Sequence, residues 1–465
     1  MNAAGTPERR LSTFDCASIV VGIVVGSGIY QSLGTVAAQT ASVAELAALW
    51  IAGGLFALLG SLCYAELAGR YPEDGGDFIY LNRAYGPGVG FLFAWTQLWI
   101  IRPGSIGALA CVFGNYAARL YSFGPESFAV YALGSVAVLT LLNMLGVRQS
   151  TRTQNLLTVA KVLGLGVLVV AGLFGPSAPA EVVVAARGRE GDVALAMIFV
   201  LFAYSGWNEM GCVAAEVRNP QRNILRALLI GAAVVTVVYL GVNAACLKLL
   251  GLAGMSQGQA VAATAAVRAL GPWGERGLSL LICISALGST NGMIFTGARI
   301  YYAMGKRRPL FAPLAVWHPR FGTPIVSLAV QAAVTLGLLI GFGGLKADDA
   351  AGGAFERLVI FMTPPFYIFL MLSAGALAVF RRRDARLGEG ERAREDHYRL
   401  PLFPLPPLVV ALAGAFLTYQ SIAYVARRFS EEGPALRGPT IWVVATFATG
   451  LAIAMWDKAR GGGAS

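Results

Sequence analysis

Apolar runs of about 20 residues recur along this chain from Ile19 to Trp456, each long enough to cross a hydrocarbon core about 30 Å thick. That repetition constrains the fold more than any motif. Inside a bilayer every backbone N–H and C=O must find a partner within the protein, and a helix supplies those partners locally. Only 13% of the 465 residues are charged and 56% are hydrophobic, whereas soluble domains carry roughly 25% charged residues. The expected fold class is an all-α polytopic membrane protein with no inserted soluble domain.

Twelve transmembrane helices are expected, at 15–39, 43–69, 89–118, 128–147, 154–175, 192–217, 226–250, 274–304, 323–343, 356–381, 402–427 and 439–457. An even number puts both termini on one side. With the N-terminus in the cytoplasm, lysines and arginines of cytoplasmic segments outnumber those of the other side about two to one, the positive-inside bias. This pattern places the chain in the cell (plasma) inner membrane. The net charge of +11 therefore reflects topology, and no nucleic-acid partner is expected. The arginine-rich stretch "FRRRDARLGEGERAREDHYR" is a cytoplasmic loop that could touch anionic headgroups. The opening "MNAAGTPERRLSTFD" is too polar for a cleavable signal peptide.

Chemistry-bearing clusters are scarce. Cys16, Cys63, Cys111, Cys212, Cys246 and Cys283 are scattered singly through apolar stretches, as small buried fillers. Neither metal-ligand spacing nor a cofactor motif occurs, and His318 and His397 fall in polar connections. The "GSG" at 26–28 lacks the strand–turn–helix setting of a phosphate loop. An intramembrane enzyme is thus disfavoured. The connection "GRYPEDGGDFIYLNRAYGP" could be a re-entrant or interfacial segment or a simple loop.

Two spans are built to come apart. In "SIVVGIVVGSGIYQSLGTVAAQ", Gly26-Ser27-Gly28 sits mid-helix, where glycine weakens the helix and Gly/Ser pairs favour kinks. In "ALAMIFVLFAYSGWNEMGCVAAEV", Ser205-Gly206 again falls near the middle, bracketed by Tyr204, Trp207 and Asn208. Paired interruptions at corresponding places of two halves point to a transporter's substrate site. Two units of five spans, 15–175 and 192–381, each open with a broken helix. A pair of accessory spans at 402–457 follows, with tails at 1–14 and 458–465. An opened backbone offers N–H groups to a carboxylate and C=O groups to an ammonium, so one zwitterion satisfies both.

The pieces "GIVVGSGIY", "IIRPGSIGA", "TQNLLTVAKVLGL", "FAYSGWNEMGCVAAEVRNPQRN", "VTVVYLGVN" and "LGSTNGMIFTGARIYYAMGKRRPLF" occur in order over most of residues 14–310. Together they resemble the amino acid–polyamine–organocation superfamily, and within it the L-type amino-acid transporters. The resemblance implies an inverted five-plus-five repeat with discontinuous spans 1 and 6 and alternating access to a central site. It assigns the substrate carboxylate to Gly26, Ser27 and Gly28, and the ammonium to carbonyls around Phe202, Ala203 and Tyr204. Trp207 and Asn208 match positions beside the substrate, and Ser205 is a candidate for tuning the side-chain pocket. Lys161 would occupy the space that sodium-coupled relatives give to a cation, with Tyr239 and Ser289 as its neighbours. Snorkelling to the interface is the alternative for that lysine.

Glu209 departs from the animal L-type pattern. It could accept a coupling proton, attract a cationic substrate or pair with a buried base such as Arg102. Glu216, Arg218 and Asn219-Pro220 end the sixth span and Arg299 with the run Lys306-Arg307-Arg308 the eighth, where salt bridges could gate the inner mouth; anchoring at the lipid interface is the plainer reading. The segment "RLYSFGPESF" lacks the cysteine by which animal members attach a heavy subunit, so no disulfide-linked partner is expected and a stand-alone prokaryotic permease is implied. The resulting expectation is a sodium-independent transporter of neutral L-amino acids, by exchange or proton symport. A cationic amino-acid or polyamine carrier, and a non-transporting amino-acid sensor of the same fold, are the alternatives.

Overall fold

The computed structural model describes residues 8–26, 28–178, 192–257, 261–342, 353–386, 398–432 and 434–459. They form helices throughout. The first half of the chain holds α1 (Thr13–Val24), α2 (Gly28–Ala38), α3 (Val43–Arg70), α4 (Asp77–Tyr85), α5 (Pro87–Thr96), α6 (Arg102–Leu120), α7 (Ser127–Met144) and α8 (Val147–Phe174). The second holds α9 (Val193–Ala203), α10 (Pro220–Ser256), α11 (Val261–Leu270), α12 (Pro272–Arg307), α13 (Ile325–Phe342), α14 (Gly353–Asp384), α15 (Leu405–Glu432) and α16 (Pro434–Ala459). A π-helical turn at Gln97–Ile101 joins α5 to α6, and a 3₁₀ helix at Trp207–Glu216 follows α9.

Each of the twelve apolar stretches falls on a helix or an interrupted helix. Among the described residues, nine helices are long and apolar enough to cross a bilayer, and ten if the bent pair α1–α2 counts as one span. The apolar parts of α13 and α16, Ile325–Gly341 and Thr440–Trp456, are shorter. The fifth span begins at Val147 rather than near 154, so Arg148 and Arg152 ride on its first turns.

Local chemistry sets the ends. Ser12 starts α1 through a reciprocal cap, accepting from the Asp15 amide at 3.2 Å while Asp15 accepts from the Ser12 amide at 2.9 Å, which satisfies amides that a helix start leaves unpaired. Asn155 on α8 donates to the other Asp15 oxygen at 2.7 Å, tying the entry of α1 to the fifth span.

The connection after α3 contains a short helix, α4, reached through Gly75 and Gly76, both with positive φ. A Cβ on Gly76 would stand 2.8 Å from the Cys212 amide nitrogen. The paired glycines let this connection press against the 3₁₀ segment, where any side chain would collide.

One expectation is corrected here. Arg299 does not anchor at a lipid interface. It is fully buried, its Nε donates to Glu216 Oε1 at 2.7 Å, and its guanidinium stacks 3.7 Å from the Phe295 ring centroid. A charge so enclosed needs a partner carboxylate rather than headgroups. Beside it Leu11 and Val217 form a parallel bridge, with the Leu11 amide donating to Glu216 O at 2.9 Å and the Arg218 amide to Leu11 O at 3.0 Å. The start of α1 and the end of the 3₁₀ helix are thereby stitched together.

Candidate functional site

Both interruptions are real, and they meet. α1 stops at Val24 and α2 restarts at Gly28, with a 47° bend between them. α9 stops at Ala203, and Gly206 takes φ +117°, a conformation that L side chains rarely adopt. An added Cβ on Gly28 would lie 3.2 Å from Ala203 Cα, and one on Gly206 would lie 3.0 Å from Ile23 Cγ2. The two openings are thus in van der Waals contact. The replacement of α-helix by ten residues of 3₁₀ helix after the second break is unusual in length, and such stretches often mark hinges.

Opening α1 frees its last carbonyls, and side chains from three other helices take them up. Lys161 of α8, with no exposed surface, donates from Nζ to Gly22 O at 2.7 Å, Val25 O at 2.8 Å and Ser285 O at 3.0 Å. Ser289 of α12 donates to Gly22 O or Ile23 O at 2.9 and 3.1 Å. Tyr239 of α10 reaches Val24 O at 2.8 Å and Ala203 O at 3.0 Å, bridging the two breaks with one hydroxyl. Lys161 therefore does not snorkel. Its ammonium occupies the negative end of a half-helix, where a cation is favoured. Sequence reasoning named Lys161, Tyr239 and Ser289 but missed Ser285, whose hydroxyl also donates to Val25 O at 2.9 Å.

Between the breaks lies a cavity of ≈ 90 Å³, below the roughly 300 Å³ lower bound for drug-sized ligands. Gly26, Gly28, Phe202, Ala203, Ser205, Gly206, Asn208 and Glu209 line it from the broken spans. Ile101, Arg102, Ser105 and Leu109 line it from α6 and the preceding π turn, Met293 from α12, and Met362, Thr363 and Phe366 from α14. Besides exposed backbone, the Asn208 amide and one charge pair, the wall carries the hydroxyls of Ser105, Ser205 and Thr363, each of which donates to a carbonyl three or four residues back. Ser27 lies outside the described residues.

The side chains around the second break take different environments. Tyr204 is fully buried, with its ring 4.9 Å from that of Tyr239 and 6.0 Å from Trp50. Trp207 packs edge-on against Tyr64 at 5.1 Å and over Gly60, where a Cβ would meet its ring at 2.3 Å. Neither ring is among the described residues that line the cavity. Ser205 does line it, but its hydroxyl donates to its own Phe202 carbonyl at 2.7 Å. Phe202 O thus already accepts from both the hydroxyl and the amide of Ser205, whereas Ala203 O shares the single Tyr239 hydroxyl proton with Val24 O and keeps capacity for a further donor.

Glu209 pairs with the buried base. Its Oε2 accepts from Arg102 Nη2 at 2.5 Å and from Thr296 Oγ1 at 2.6 Å. Arg102 and Glu209 are 3% and 6% exposed, so neither charge is left to solvent.

The profile described as "Amino acid permease" matches residues 11–451. The chain belongs to the amino acid permease family. This is a family of transporters, not enzymes. The chain is 30% identical over 417 residues to the serine/threonine exchanger SteT of Bacillus subtilis (strain 168), covering 89% of this chain and 91% of that one. It is 31% identical over 422 residues to the mouse b(0,+)-type amino acid transporter 1, covering 88% and 82%. To the human large neutral amino acids transporter small subunit 2 it is 31% identical over 350 residues, covering 72% and 64%.

Proposed function

We propose that this permease moves neutral L-amino acids across the cell membrane by alternating access, without sodium, by exchange or together with protons. Twelve spans in an inverted five-plus-five arrangement, with both termini cytoplasmic, give the framework. The observation that carries the reading is the juxtaposition of the two breaks around a small, largely apolar cavity. The substrate carboxylate meets the backbone at 26–28, where α2 begins with its positive dipole end. The ammonium meets carbonyls at 202–204. Sodium independence is supported by Lys161: a fixed ammonium already takes the carbonyls of Gly22 and Val25 that a cation would need.

The pairing of Glu209 with Arg102 speaks against the cationic amino-acid or polyamine reading, because the carboxylate is already neutralised. Cytoplasmic closure is assigned to the Glu216–Arg299 pair and the Leu11–Val217 bridge. No disulfide-linked subunit is required for this scheme.

The test is transport in proteoliposomes. Labelled alanine, serine and leucine should enter vesicles preloaded with unlabelled amino acid equally fast in sodium and in choline buffer. Arginine and putrescine should not compete. Sodium-driven accumulation would overturn the coupling assignment, and binding without flux would instead make the chain a sensor.

A further inference from the structure

We infer that the Arg102–Glu209 pair is a charge filter: by holding two opposite charges together at the cavity wall, it excludes amino acids whose side chains carry a charge of either sign. The inference rests on the transporter reading above and specifies the substrate class of that same site.

The two residues lie 107 positions apart, on α6 and on the 3₁₀ helix after the second break, and both line the cavity. Around them, among the described residues, the wall carries no other charged side chain: Ile101, Leu109, Met293 and Met362 are apolar, and the hydroxyls of Ser105 and Thr363 are turned to backbone carbonyls. In such surroundings a charged side chain loses its hydration and needs a local counter-charge. The pair presents none. A lysine side chain drawn to Glu209 meets the Arg102 guanidinium beside it, and an aspartate drawn to Arg102 meets the Glu209 carboxylate. With the opposite charges 2.5 Å apart, their net field falls off steeply within the cavity. Thr296 fixes the arrangement: its hydroxyl donates to Glu209 Oε2 at 2.6 Å and lies 3.1 Å from Arg102 Nη1. Neither side chain can readily turn to meet a substrate. Arg102 nonetheless keeps unused capacity, since its Nε has no hydrogen-bond partner among the described residues.

Removing either member leaves its partner as a buried, uncompensated charge, which a substrate of opposite sign can neutralise. Selectivity should therefore invert in opposite directions. The experiment measures affinities of the purified full-length protein for leucine, aspartate and lysine at one pH and salt concentration. Wild type should prefer leucine over both charged amino acids by at least about tenfold. Glu209→Gln should shift the aspartate-to-leucine ratio toward aspartate by at least about tenfold, and Arg102→Gln should do the same for lysine. The doubly neutral variant, Arg102→Gln with Glu209→Gln, should restore the leucine preference.

Wild type binding lysine or aspartate as tightly as leucine overturns the filter, as do folded single variants with unaltered ratios. Should one single variant not fold, the other decides the matter: its ratio must shift toward the amino acid whose charge is opposite to that of the remaining residue, and an unaltered ratio overturns the filter. Absence of binding of any amino acid to wild type would instead defeat the transporter reading itself.

Discussion

The Lys161 ammonium lies 2.7 Å from the carbonyl oxygen of Gly22, across 139 residues of sequence, and holds the last turn of α1 at the point where the helix opens. Alanine at 161 removes this donor from three carbonyls at once. The carbonyls of Gly22 and Val25 keep hydroxyl donors in Ser289 and Ser285, so the fold should survive better than the function. Lys161→Ala should still purify as a monodisperse protein while exchange falls by at least about tenfold, as expected when a misplaced binding group loses its geometry. Flux at the wild-type level would remove the lysine from the mechanism.

Gly26 is confined by Ser289 as well as by the cavity. A Cβ there would stand 3.0 Å from Ser289 Oγ and 3.4 Å from Ile23 O. Gly26→Val should weaken amino-acid binding by more than about tenfold, through loss of backbone approach and displacement of that hydroxyl. Isothermal titration with leucine is the measurement. Unchanged affinity would mean that the first break serves something other than the substrate.

At the second break, Gly206 holds φ +117° against Ile23 and Val24. Alanine at this position adds backbone strain of about 1–2 kcal/mol to a close contact. Gly206→Ala should lower the midpoint of thermal unfolding by a few degrees and slow exchange. A variant as stable and as fast as wild type would show that the left-handed turn is dispensable.

Asp74 sits in the connection between α3 and α4, nine-tenths buried, with one carboxylate oxygen unpartnered among the described residues. Burial pushes its pKa up from 3.8 to about 7; the nearby Glu216 adds to the rise, while Arg299 and Lys306 oppose it. The folded state thus holds a proton that the unfolded chain releases at lower pH. The stability linked to this proton is complete below about pH 4 and is lost progressively as pH rises through 7. Wild type should melt at lower temperature at pH 8 than at pH 6, and Asp74→Asn should flatten that difference. Equal pH slopes for the two proteins would exclude Asp74 as its source.

Arg299 and Glu216 are 0% and 1% exposed. Glu216→Ala would leave the guanidinium enclosed without its counter-ion, a change that costs about 3–5 kcal/mol for buried pairs. Its melting temperature should drop sharply in detergent, and a loss below about 1 kcal/mol would indicate that water reaches this end of the 3₁₀ helix.

The positions where two spans open were legible in the sequence. Glycine-rich interruptions in otherwise uniform apolar runs are local signals, and the resemblance supplied Lys161, Tyr239 and Ser289 as partners. The cavity wall was less legible: Met293, Met362 and Phe366 look like any other apolar residues until helices from distant parts of the chain converge. Trp207 shows the converse. Its place beside the second break was readable, but whether the ring faces the cavity or Gly60 depends on helix rotation and on the space an absent Cβ leaves.

By itself, then, the sequence determined that this chain fills a membrane with helices and where two of them open, because burial in lipid and weak helix-forming residues act within a few positions. Tertiary structure alone decided which buried charges meet: Glu209 with Arg102 and Glu216 with Arg299. Such pairings span 107 and 83 residues, and depend on the rotation and depth of packed helices, which hydropathy leaves open.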